Sequence, residues 1–258
     1  MKRANARLAV ESDAPKVVLV RVGIDSGSGG MQGPLFEDDT FEFVSIPDGH
    51  GLDERTYGNS TGRTGRPFAD YFNPTCRAVM SSQSMHVDPE WGNFTYGDPT
   101  SPKAVLRHLR AGDLLVFYCG LQRWNEATGW DKTDRPALYL AGYFHVALAG
   151  LAPEFEEAVL QREFSENFHV RHRAAFEAQK QKLVLVKGDP DRSRLFRKAH
   201  RISSERGDSR GTPLKVLSPE AQKIFGGFDD RIAIQRSTPR WVSPDFVDRA
   251  VEYLRSLE

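Results

Sequence analysis

The run Lys16-Val-Val-Leu-Val-Arg-Val22 passes directly into Gly23-Ile-Asp-Ser-Gly-Ser-Gly-Gly-Met-Gln-Gly-Pro34. This junction constrains the fold more than any other part of the chain. The valines favour a strand buried on both faces. If a helix followed, the pair would open a doubly wound nucleotide fold. Gly27 and Gly29 begin the dinucleotide fingerprint, but Gln32 stands where the next glycine is needed and Gly33-Pro34 stops the helix. No Gly-Lys-Ser/Thr follows, so the loop is not a P-loop. Two readings stay open. Gly27, Gly29 and Gly30 could let the backbone approach a ligand as an anion-binding nest, with Asp25 aimed at it. Alternatively, the segment is a wide turn in which Asp25 caps its own backbone.

The rest of the chain mixes strand and helix signals without regular alternation. Phe41–Ile46 reads as a strand ended by Pro47, and 48–67 reads as a long polar loop. A helix is expected over 102–110, with Ser101 as N-cap, Pro102 in its first turn and Gly112 after its end. Strands are expected at Asp113–Tyr118, Leu138–Leu148 and Leu183–Val186. Helices are expected at Pro153–Phe164, at Ser193–His200 and from Ser243-Pro244 onward, where Phe246, Val247, Ala250, Val251 and Leu254 keep helical spacing. The pattern implies an α+β fold with a mixed, mostly antiparallel sheet, or a small β-barrel with flanking helices. Residues 1–15 read as a variable N-terminal segment and 16–258 as a single domain.

At 258 residues the chain can bury a core without disulfides or metals. Cys76 and Cys119 form no metal-ligand pattern, and the N-terminus lacks the apolar core of a signal peptide. No stretch approaches a membrane span, so a cytoplasmic protein is expected. Net charge is zero, which argues against a dedicated non-specific DNA binder. The charge is uneven, however. Residues 171–206 hold eleven Lys and Arg against four Asp and Glu, an excess of seven. That stretch is either a basic face for DNA phosphates or a solvated surface.

Four places could carry chemistry. The glycine loop is the first. In the second, His86, Asp88 and Glu90 alternate and would share one face of an extended segment. A histidine and two carboxylates arise easily by chance, and no second histidine sits at helical spacing, so no metal is assigned. Tyr96-Gly97-Asp98 then leads into the 102–110 helix, whose N-terminus favours a phosphate or carboxylate. Asp98 could instead cap that turn, or work with Asp25 as an acid–base pair. The third place is Phe164–Arg173, where the Asn167 amide could read a base edge and His169 could donate a proton. The fourth is Lys187–Arg194, where Lys187 and Ser193 could contact phosphate at the entry to a helix. Of the aromatics between 117 and 143 most must be core, while Trp124 and Trp130 lie in a polar loop and could stack on a base.

Several of these segments together resemble the nucleotide modification associated domain family, third type. They are V-L-V-R-V-G-I-D-S-G-S-G-G-M-Q-G-P-L-F, H-V-D-P-E, F-T-Y-G-D-P, G-D-L-L-V-F-Y-C-G-L and K-G-D-P-D-R-S-R-L-F. The resemblance covers roughly residues 16–225. It implies a link to hypermodification of bases in DNA, and places Asp25, Gly27, Gly29, Gly30, His86, Asp88, Tyr96, Gly97 and Asp98 in one pocket without assigning their roles. The strand pair around 113–118 and 138–146 also resembles PUA-like barrels of the EVE and ASCH groups, which hold a flipped or modified base. That is a fold-level analogy, and residues 16–100 have no place in a minimal barrel of that kind.

The combined expectation is a nucleotide- or DNA-base-modifying protein. A nucleotide or modified base would be its partner, and Asp25, His86 or Asp98 would handle protons. No cofactor motif is visible, so the cofactor is left unassigned. The alternative is a non-catalytic reader of a modified base, held on DNA through 171–206.

Overall fold

In the computed structural model the valine run is strand β1 (Val17–Arg21), in the interior of a nine-stranded sheet. The structure describes residues 14–207, 211, 213–228 and 231–257. The expected N-terminal segment 1–15 lies almost wholly outside them. Val17 and Leu19 face one hydrophobic cluster while Val18 and Val20 face another, and all four are fully buried. A strand covered on both faces needs no polar alternation, which is why its sequence is continuously apolar.

The other strands, in chain order, are β2 (Gly33–Leu35), β3 (Ile46–Pro47), β4 (Met85–His86), β5 (Thr95–Asp98), β6 (Leu114–Asn125), β7 (Gly129–Trp130), β8 (Ala137–Leu151), β9 (Val184–Gly188), β10 (Arg194–Arg201), β11 (Ser203–Gly207), β12 (Pro213–Leu217) and β13 (Arg240–Trp241). The main sheet runs β13-β1-β6-β8-β9-β5, with β10 on β8 and with β2 and β7 on β6. Pairing is antiparallel except for β1 and β2 against β6. The mixed, mostly antiparallel α+β architecture is therefore present, and among the described residues the sheet does not close into a small barrel. The end strands β13 and β5 are short and each pairs only inward, with β1 and β9 respectively.

The helices are α1 (Pro74–Ser82), α2 (Glu157–Phe164), α3 (Phe168–Arg171), α4 (Arg173–Gln179), α5 (Pro219–Phe225) and α6 (Pro244–Ser256). Helix α6 buries Val247, Ala250 and Leu254 against the β1 side of the sheet, together with α5. Leu106, Leu109, Phe117, Phe144 and Tyr96 fill the opposite face. Among the described residues no helix is long and apolar enough to cross a membrane.

Several local expectations differ from the structure, among them the polar loop expected around Trp124 and Trp130, two residues that instead face each other on β6 and β7. Residues Ser101–His108 form a 3-10 helix rather than an α-helix. Phe41–Ile46 forms no continuous strand; instead Ile46 and Pro47 pair with His86 and Met85. Ser193–His200 is not helical, because Arg194–Arg201 is strand β10 against β8. Phe196 lies fully buried in the core there, and an edge of β8 open to pairing outweighs the helical spacing of Leu195, Phe196 and Ala199.

Candidate functional site

Six chain segments converge on a cavity of about 500 Å³: the end of β1 with its glycine loop, residues 46–50, His86 with Asp88, β5 with the following 3-10 helix, α3 with the end of α4, and Ser237. Of the sequence-derived candidates, Asp25, His86, Asp88, Tyr96, Gly97, Asp98 and His169 line it.

The glycine loop forms the mouth. Asp25 Oδ1 accepts the Gly27 and Ser28 amides, each at 2.8 Å, and Oδ2 pairs with Arg21 at 2.9 Å. Asp25 therefore caps its own turn while bordering the cavity. Gly29 and Gly30 have φ of 115° and 82°. A Cβ on Gly29 would also lie 2.5 Å from Ile24. These glycines thus serve the turn, and Gly27, Gly29 and Gly30 do not line the cavity.

The floor is built by His86, Asp88 and His169. Strand β4 places His86, and Asp88 follows two residues later towards the same space. The Gly97 amide donates to Asp88 Oδ2 at 2.8 Å, while Asp88 Oδ1 is buried with no hydrogen-bond partner among the described residues. Asn167 caps α3, accepting the His169 amide at 3.1 Å and donating to Thr95 Oγ1 at 3.3 Å. This fixes His169, whose Nδ1 lies 2.7 Å from Gln179 Oε1 and whose Nε2 lies 3.5 Å from Asp88 Oδ2. Gln179 closes the same corner from the end of α4. The His86 ring stacks on Phe168 with centroids 3.9 Å apart, and no hydrogen bond holds either of its nitrogens among the described residues. One ligand atom from each of His86, Asp88 and His169 can be chosen so that all lie within 4.8 Å of one another.

Electrostatics follow from this burial. Burial, with the neighbouring His169, pushes His86 down to about 4, so it is neutral near pH 7. Burial pushes the Asp88 carboxyl up. Burial also works against the His169 imidazolium, but Asp88 outweighs it and raises the pKa. Both shifts favour a proton held between the two side chains.

One wall is a separate polar network. Lys103 Nζ donates to Tyr96 Oη at 2.9 Å and to Asp98 Oδ2 at 3.1 Å, and Tyr96 donates to the same oxygen at 2.9 Å. Burial pushes Asp98 up, but Lys103 and Thr100 outweigh it and hold the carboxyl below its ordinary value. Burial and Asp98 push the Tyr96 hydroxyl well up. Lys103 was not singled out from the sequence, although a lysine in the first turn of a helix opposes the helix dipole. That misplaced charge was the available signal.

Several candidates lie elsewhere. Glu90 turns away from His86 and Asp88 to pair with Arg55 at 2.6 Å. Arg55 also binds Asp53, which in turn holds Arg171 of α3. This buried network ties the 48–67 loop to α3, and the Asp53 carboxyl drops to about 2. Asn167 is fully buried as a helix cap and cannot reach a base edge. Lys187 donates to the Asn93 carbonyl at 2.7 Å, and buried Ser193 accepts the His145 amide at 3.0 Å. Neither forms a phosphate site, since the expected helix there is strand β10. Trp124 lines a different cleft, edge-on to Tyr71 at 5.0 Å. Trp130 donates to the Tyr71 carbonyl at 2.8 Å. The basic stretch 171–206 runs through α3, α4 and β9–β11. Three of its charges meet acidic partners: Arg171 with Asp53, Lys180 with Glu177 and Arg192 with Asp189.

A family model described as nucleotide modification associated domain 3 matches residues 16–254. No curated protein and no solved structure matches the chain.

Proposed function

Because the chain belongs to the nucleotide modification associated domain 3 family, we propose that its polar cavity receives a nucleotide, or a single base of a nucleic acid, and is where that ligand is chemically modified. One observation carries the reading. Side chains capable of proton transfer arrive from five segments, at 25, 48–50, 86–88, 96–103 and 169, and meet in one cavity, away from the clefts around Trp124. Its volume of about 500 Å³ lies within the usual range for small-molecule sites. Such convergence costs buried, unpaired polar groups, and a fold carries that cost where it has chemistry to do.

In this reading Arg21, oriented by Asp25, guards the mouth. Lys103, Tyr96 and Asp98 form a continuous hydrogen-bonded path along one wall, able to move a proton to or from the ligand. His86, Asp88 and His169 face the reacting atoms from the floor. The cavity takes a single nucleotide-sized group, so a base within DNA would have to leave its stack to enter. The 171–206 stretch carries less of the argument, because several of its charges are already engaged.

The test is nucleoside mass spectrometry on DNA, tRNA and the free nucleotide pool from cells expressing wild type or His86→Ala. A mass that appears or disappears only with wild type supports a modifying enzyme. Identical spectra from two folded, equally expressed proteins refute it and leave the binding-only reading.

A further inference from the structure

We propose that His86, Asp88 and His169 are the three protein ligands of a divalent transition-metal ion, with the ion's open side turned to the cavity. The inference shares the cavity with the proposed modification chemistry but stands on coordination geometry.

The donor set comes first. Two imidazoles and one carboxylate suit zinc, iron, manganese or cobalt, and suit neither copper(I), which prefers sulfur, nor magnesium and calcium, which prefer oxygen throughout. Three protein ligands with vacant positions mark a catalytic site, whereas a structural zinc is closed by four.

Spacing comes second. Ligand atoms about 2.0–2.2 Å from an ion sit roughly 3–3.5 Å from one another. His169 Nε2 and Asp88 Oδ2 are already 3.5 Å apart, and the set as a whole falls within 4.8 Å. A rotamer adjustment at His86, which no hydrogen bond restrains, closes the remainder.

The outer contacts come third, and they decide against chance clustering. His169 Nδ1 lies 2.7 Å from Gln179 Oε1, and in the tautomer that donates Nδ1–H there the lone pair of Nε2 faces Asp88. A ligating histidine is held in this way, with its second nitrogen tied to a fixed acceptor. Asp88 is fixed in turn by the Gly97 amide at 2.8 Å, and its other oxygen is buried without a partner among the described residues. In that tautomer Nε2 and Asp88 Oδ2 are two acceptors 3.5 Å apart, with the unpartnered Oδ1 beside them. A cation there satisfies all three.

The experiment uses the full chain, stripped with chelator and then titrated anaerobically with cobalt(II), zinc(II), manganese(II) or iron(II). The expected result is one equivalent of at least one ion per chain, visible as ligand-field absorption for cobalt(II) and as metal content after desalting. His86→Ala should weaken uptake at least tenfold with unchanged circular dichroism, while Asp25→Asn should retain it. Among the described residues the His86 side chain makes no hydrogen bond, so this variant stays interpretable even if Asp88→Asn or His169→Gln fails to fold. Failure of folded wild type to take up any of the four ions overturns the proposal. So does uptake that His86→Ala leaves unchanged. Neither result bears on whether the cavity modifies a nucleotide, which the mass spectra decide.

Discussion

Replacing Gly97 with alanine tests how β5 and α3 jointly hold the floor of the cavity. An added Cβ would fall 2.8 Å from His169 Cδ2 and 2.9 Å from Asn167 Oδ1, both closer than real contacts allow. The backbone at Gly97 is not in the left-handed region, so the whole effect is steric. Relief requires α3 to lift from β5, or His169 to swing away from Gln179. Overpacking of this kind costs about 1–3 kcal/mol. For a chain of this size, each kcal/mol lowers Tm by about 2–4 °C, so Gly97→Ala should melt roughly 2–12 °C below wild type. The assay is thermal unfolding beside Gly92→Ala, where a Cβ meets nothing within 4 Å and where no loss is expected. His169 imidazole resonances should shift in the first variant and not in the second. Equal melting temperatures with unshifted His169 resonances would refute the claim that Gly97 exists to seat this histidine.

Two further outcomes follow from the packing. Asp53, with no exposed side-chain surface, has its carboxyl lowered from 3.8 to about 2 by Arg55 and Arg171, which outweigh its burial. Its contribution is present above pH 4 and is lost as pH falls through 2, amounting to about 2 kcal/mol. Denaturant midpoints should therefore fall more steeply from pH 4 to pH 2 in wild type than in Asp53→Asn, and parallel curves would count against the network. Trp124→Ala should leave the nucleoside mass spectra of the wild type unchanged, since Trp124 borders a different cleft; loss of a modified product there would move the active cavity to that side of the molecule.

Some of this molecule could be read along the chain. The valine run, the Leu-Leu-Val-Phe-Tyr run of β6 and the Val184–Val186 run are apolar because their strands are covered on both faces, and a continuous apolar run signals that directly. The spacing of Val247, Ala250 and Leu254 likewise reported the buried stripe of α6. The mismatch with the dinucleotide fingerprint was local too, resting on Gln32 and Gly33-Pro34, and the lack of regular strand–helix alternation favoured α+β over a doubly wound fold. The pairing of His86 with Asp88 was equally local: alternate residues of an extended segment face one way.

What joined these pieces needed the tertiary structure. Glu90 has the same alternation as Asp88, yet Arg55 draws it into an ion network, and no local pattern distinguishes the two carboxylates. Arg194–Arg201 has helical spacing but is a strand, because β8 offers it an unpaired edge. His169 enters the site only because β5 pairs with β9, Gly97 leaves room, and the Asn167 cap sets α3 on β5. The sequence by itself determined the local backbone preferences and which side chains could do chemistry. Which of those side chains meet was decided by long-range sheet pairing and by burial, since the free energy that brings them together comes from contacts between segments far apart in the chain.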